Sequence, residues 1–145
     1  MQRFRFRLGG LLRLRSQLER AGRRSLAEAM GTVAGVEQRL GAATQGMQDC
    51  ERMGCSNEPH APLARALAKG LARHRLHLTN QLRAAQAQLD RARGDWLERR
   101  RDERALASLQ DRRRDEWRRE QDRAEQLEME ELARFGARAA EEDRT

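Results

Sequence analysis

The sequence predicts an all-α protein in which two long helices fold back on each other as an antiparallel coiled-coil hairpin. Three observations carry that expectation. Ala, Leu, Glu, Arg and Lys make up 86 of the 145 residues, about 59%, above the roughly 50% that marks long helices and coiled coils. Apolar residues recur at alternating steps of three and four along most of the chain, the period of a supercoiled helix. A single cluster of strong breakers, from Gly54 to Pro62, interrupts that pattern. With three Phe, two Trp and no Tyr, a β-sheet has little to be built from.

The first helix is expected over about residues 2–56. Between Ala29 and Cys50 the seam reads Ala29, Val33, Val36, Leu40, Ala43, Met47, Cys50, an unbroken heptad stripe. Towards the N-terminus the stripe continues as Leu11, Leu14, Leu18, Gly22, Leu26. The two successive steps of four around Gly22 are a stutter that locally unwinds a supercoil. Gly22, Gly31, Gly35, Gly41 and Gly46 each cost up to about 1 kcal/mol relative to Ala, so this helix is not rigidly locked.

The turn is expected at 57–62. Ser56, Asn57, Pro59 and Pro62 follow Gly54; Gly54 suits a helix C-cap and Pro62 a first helical turn.

The second helix is expected over about 63–140. Its stripe runs Leu63, Leu67, Leu71, His74, Leu78, Leu82, Ala85, Leu89, Ala92, Trp96, then through Arg99 and Glu103 to Leu106, Gln110, Arg113, Trp117, Glu120, Ala124 and Leu127. From Leu82 onward the steps alternate three and four even where the residue is charged. A disordered segment has no reason to hold that register. Opposite charges three residues apart, such as Asp115 and Arg118 or Glu120 and Arg123, add a few tenths of a kcal/mol each. His74, Trp96 and Trp117 read as packing residues.

Residues 1–145 then form one coiled-coil hairpin in which residue i lies near residue 119 − i. Positions beyond about 118 have no counterpart on the first helix. Charge is uneven: residues 1–24 carry eight Arg and one Glu, a net +7, whereas 120–145 carry four Arg and nine acids, a net −5. Such a molecule offers surfaces rather than an enclosed cleft.

Several function classes fall away. The longest apolar runs are two or three residues, far below the 18 needed to span a bilayer. The basic N-terminus lacks the apolar core of a signal peptide, which points to a cytoplasmic protein. Cys50 and Cys55 are too few for a disulfide framework and, with His60, His74 and His77, lack zinc-ligand spacing. Acids abound but no concave site is expected to shift their pKa values, so no catalytic group, metal or cofactor is expected. Arg3, Arg5, Arg7, Arg13 and Arg15 read as a solvated face, or as contact with nucleic acid or an anionic membrane surface; a third reading, contact with acidic groups lining a ring pore, rests on the family resemblance given below. Phe4 and Phe6 suit either base stacking or docking on the partner helix.

The opening Phe4-Arg5-Phe6-Arg7-Leu8-Gly9-Gly10-Leu11-Leu12-Arg13-Leu14-Arg15 resembles the start of the flagellar export protein FliJ family, which has relatives among type III secretion stalks. Leu26-Ala27-Glu28-Ala29, Glu37-x-x-Leu40, His74-Arg75-Leu76-His77-Leu78-Thr79, Trp96-x-x-x-Arg100-Arg101-x-x-Arg104-Ala105-Leu106 and Glu131-Leu132-Ala133-Arg134 are similar to later segments of the family. The resemblance implies a non-enzymatic stalk like the γ subunit of rotary ATPases. It implies three partners: the export ATPase hexamer, the cytoplasmic domain of the export gate, and export chaperones. No nucleic acid is expected. The location implied is cytoplasmic, peripheral at the inner face of the membrane at the flagellar base. Matched to the family, Leu63, Leu67, Gly70 and His74 would meet the gate. Phe4, Arg5, Phe6, Arg7, Leu11, Leu132 and Arg134 would meet the ATPase ring.

Overall fold

The computed structural model describes residues 3–142, with side chains through residue 138. Among them are two α-helices, α1 (Gly9–Gly54) and α2 (Ala61–Glu142), and no strand. Their 46 and 82 residues correspond to about 69 and 123 Å at 1.5 Å per residue. The helices pack against each other as an all-α hairpin.

The helix bounds differ from those expected. Residue 2 lies outside the described residues, but residues 3–6 are irregular and 7–8 form a turn, so α1 starts seven residues later than position 2. The reason is a period of two rather than 3.6. Phe4 and Phe6 are half-buried, while Arg3, Arg5 and Arg7 are exposed, an alternation that only an extended segment provides. The Gly9 amide donates to the Phe6 carbonyl at 3.1 Å and the Leu12 amide to the Leu8 carbonyl at 2.9 Å, opening the helix.

At the other end, Gly54 is the last residue of α1 and none of the described residues has positive φ. The left-handed glycine cap is therefore absent. The Cys55 amide donates to Glu51 at 3.1 Å, and both the Ser56 amide (3.2 Å) and hydroxyl (2.7 Å) donate to the Met53 carbonyl. Gly54 is needed for room instead, because a Cβ there would stand 2.8 Å from Arg65 Cγ. The Ala61 amide donates to Glu58 at 3.1 Å, and Pro62 falls within the first turn of α2, where its missing N–H costs nothing.

The chain groups into two compact units, Ser16–Arg100 and Met1–Arg15 with Arg101–Thr145. In Ser16–Arg100 the core consists of Ala29, Val33, Val36, Ala43 and Cys50 from α1 and Ala61, Ala64, Leu78 and Ala85 from α2. Five of these nine are alanines, so the seam is filled largely by small side chains that let helix backbones approach closely. The approach is visible at Gly22, where a Cβ would lie 3.5 Å from Trp96 Cα and 3.2 Å from Arg99 Cδ. Gly46 faces Leu71 and Gly22 faces Trp96, each close to the 119 − i register.

Two parts of the expected seam are wrong. Leu18 is 36% exposed, and Leu11 and Leu14 face solvent too. Leu12, Arg15, Glu19, Gly22 and Leu26 occupy the buried or half-buried positions instead. With Glu19 in place of Leu18 the steps alternate three and four from Leu12 to Cys50, and the stutter disappears. On α2, Leu63 and Leu67 are exposed and His74 with them, while Ala61, Ala64 and Ala68 take the inward positions. Following the largest apolar residue misplaced the stripe because this seam has room only for alanine beside the turn.

In the other unit, Arg15 pairs with Asp102 at 2.9 Å and Phe4 meets Trp117. Leu12, Leu106, Leu109 and Gln110 are half-buried. Arg113, Glu120, Ala124 and Leu127, expected on the stripe, are exposed, as is every side chain from 122 to 138. With α1 beginning at Gly9, α1 does not cover this length of α2.

Candidate partner-binding surfaces

Two exposed surfaces and one buried polar cluster stand out. The first surface belongs to the unit of Met1–Arg15 with Arg101–Thr145. The N-terminal segment lies along α2, and the Phe4 ring stands 6.0 Å from the Trp117 ring at 52°. The Arg114 guanidinium sits 5.9 Å from the Phe4 ring centroid, a cation–π distance. An open groove is lined by Arg3, Phe4, Arg5, Phe6, Arg7 and Leu8 on one side and by Leu109, Arg113, Glu116, Trp117 and Glu120 on the other. Arg113 donates to Glu116 at 2.8 Å within it. Phe4 and Phe6 thus dock on the chain's own helix, while Arg5 and Arg7 point outward. Further along α2, Leu127, Met129, Leu132 and Phe135 are 62%, 71%, 70% and 66% exposed. These values decide against an internal packing role. The same unit contains all seven residues matched to ring contact, including exposed Leu11 and Arg134.

The second surface lies just after the turn, in Ser16–Arg100. Leu63, Leu67, Gly70 and His74 follow one another at steps of four, three and four and so share one side of α2. Leu63 and Leu67 are 71% and 55% exposed. A Cβ at Gly70 would meet nothing within 4 Å, so this side is open along its length. The residue set matched to the gate is therefore a continuous solvent-facing stripe, and His74 belongs to it rather than to the seam.

The buried cluster centres on Glu19, 3% exposed and the one buried charged residue among the described residues. Its carboxylate accepts from Trp96 Nε1 at 2.9 Å and from Arg23 Nη2 at 2.7 Å. The Trp96 hydrogen bond holds its pKa below the ordinary 4.5 against the opposing effect of burial, with Arg23 and Arg100 adding to the lowering. Arg100 also lies 5.0 Å from the Trp96 ring centroid, and Arg99 Nη1 donates to the Leu18 carbonyl at 3.3 Å.

Sequence reasoning missed Glu19 and Phe135. The signal for Glu19 was its step, three before Gly22, which keeps the alternation intact. The signal for Phe135 was that it is the one aromatic after Trp117. Among the described residues, no group of three His, Cys, Asp or Glu could hold a metal, and no helix is long and apolar enough to cross a membrane. Cys50 is buried and Cys55 exposed, both as free thiols.

No curated protein and no solved structure matches this chain. The model of the family described as Flagellar FliJ protein matches residues 4–142. With two helices and the Phe/Arg N-terminal segment folded onto α2, this chain belongs to the FliJ family, components of the flagellar protein export apparatus.

Proposed function

We propose that this chain is a non-enzymatic stalk and adaptor of the flagellar type III export apparatus. In this reading the unit holding both ends of the chain enters the export ATPase ring, and the stripe after the turn meets the cytoplasmic domain of the export gate. Export chaperones are further clients, and the chain works in the cytoplasm at the inner face of the membrane. What carries the reading is the pair of exposed apolar surfaces. Leu127, Met129, Leu132 and Phe135 are exposed on one length of α2, and Leu63 and Leu67 on another. Large apolar side chains left exposed together on one length of helix are what a binding surface for another protein offers. Exposed Arg134 stands in the same stretch as the first of these surfaces, and exposed Arg5 and Arg7 lie in the same unit beside Leu109 to Glu120; their charge suits a socket lined with acidic groups.

The test is stimulation of the export ATPase by the purified chain. Deleting 1–12 or 125–145 is expected to abolish stimulation while circular dichroism shows the remainder still helical. Leu63→Glu with Leu67→Glu is expected to spare stimulation and to remove binding to the gate domain. Full stimulation by both deletions would overturn the stalk reading.

A further inference from the structure

The seam between α1 and α2 repeats so regularly that it poorly defines its own register. Ala29, Val36, Ala43 and Cys50 follow one another at steps of seven on α1, and Ala64, Leu71, Leu78, Ala85 and Ala92 do so on α2. Sliding one helix past the other by one heptad sets small or aliphatic residues against small or aliphatic residues again. Glu19 is different. Its carboxylate is buried and takes hydrogen bonds from Trp96 and Arg23.

We propose that Glu19 and Trp96 form a register lock, the pair with a buried charge in a seam whose apolar positions repeat by sevens, selecting one alignment of α1 on α2 that the exposed Arg15–Asp102 pair also obeys. A slip of seven residues in one direction sets Glu19 opposite Leu89, which has no donor, leaving a buried carboxylate without its indole partner. A slip in the other direction sets it opposite Glu103, a like charge. An in-register parallel pairing of α1 with α1 of a second copy sets two Glu19 carboxylates side by side. Arg23, on the same helix, moves with Glu19 and stays its partner, but each alternative loses the indole hydrogen bond or adds repulsion, and a buried charge short of a partner is costly. A lone polar residue at a core position fixes register in coiled coils in the same way, at a cost in stability. Trp96 suits the role because indole only donates, so its match is an acceptor and not another donor. Gly22 supports the arrangement by leaving space one turn away, over Trp96 Cα.

The test uses the full chain carrying Cys50→Ser and Cys55→Ser, with either of two cysteine pairs. Gly46→Cys with Leu71→Cys reports the native alignment, because these residues already face each other. Gly46→Cys with Ala64→Cys reports the alignment slipped by seven. In this background the native pair is expected to oxidise within one chain and the slipped pair to stay reduced. Adding Glu19→Leu is expected to raise the melting midpoint by about 5 °C, since a buried ion pair is often replaced by a hydrophobe at a gain. It is also expected to let the slipped pair oxidise, with the substituted leucine against Leu89. Glu19→Gln keeps an acceptor for Trp96 and is expected to retain the native cross-link alone. Trp96→Phe is expected to lower the midpoint in the parent and to leave it unchanged beside Glu19→Leu. A Glu19→Leu chain that forms only the native cross-link, or that melts below the parent, overturns the proposal. So does a Glu19→Gln chain that slips as freely as Glu19→Leu.

Discussion

Two stretches of α2 are both helical and both carry leucines, and they are opposite in circumstance. Around Leu78 the helix is held by tertiary packing: Leu78 is 1% exposed, and Ala64 and Ala85 are buried on either side of it. From 122 to 138 every side chain is exposed, leucines and Phe135 included. The first stretch is helical because it buries a face. The second is helical through intrinsic propensity and local pairs such as Gln126 with Glu130, 3.2 Å apart. An apolar residue means core in one stretch and contact surface in the other, and its identity alone does not say which.

Substitutions along the two stretches sharpen the contrast. The largest effect is expected at Leu78→Ala, about 3 kcal/mol of lost stability from transfer and cavity terms together, measured by denaturant unfolding. Gly22→Leu comes next, at about 2 kcal/mol, because a side chain longer than Cβ must push the helices apart over Trp96 Cα; a melting curve checks it.

The Glu19 cluster adds a pH dependence. Facing it are Arg23 on α1 and Trp96 and Arg100 on α2, with Arg99 held on the Leu18 carbonyl beside it. The folded pKa lies below the ordinary 4.5, so Glu19 contributes stability that is complete above that value. This contribution is lost as pH falls through 4.5 towards the lower folded pKa. Thermal melts across that range are expected to show an acid limb that Glu19→Gln flattens. The smallest change in stability is expected for Leu132→Ser, within about 0.5 kcal/mol. The same substitution is expected to weaken binding to the export ATPase in a pull-down. A large loss of stability there would erase the distinction between the two stretches.

Much of the fold was legible because helical period and turn chemistry act locally. The seam from Ala29 to Cys50, the breakers beside Gly54 and the pairing near 119 − i follow from spacing alone. The errors share one physical origin. Leu18 outranks Glu19, and Leu63 outranks Ala61, on any hydrophobicity scale, but the distance between helix axes decides which side chain fits inside. That distance is a tertiary property, set here by Gly22 and the alanines. Glu19 could enter the seam only because Trp96 waited 77 positions away with an indole N–H. The extended segment at 3–6 was hidden for a similar reason. Its alternation of Phe and Arg spans too few residues to outweigh the helical stripe that follows it, and Trp117 gives the rings their seat. Of the candidate surfaces, the stripe Leu63, Leu67, Gly70, His74 could be named from the family resemblance, but its exposure depended on Ala61 and Ala64 turning inward.

The outward leucines make the chain's melting temperature a gauge of occupancy. A ligand that covers Leu127 and Leu132, or Leu63 and Leu67, and ignores the unfolded chain adds its binding free energy to the folded state. At a hundredfold excess over Kd that linkage amounts to about 2.7 kcal/mol, comparable to the whole effect of emptying the core at Leu78.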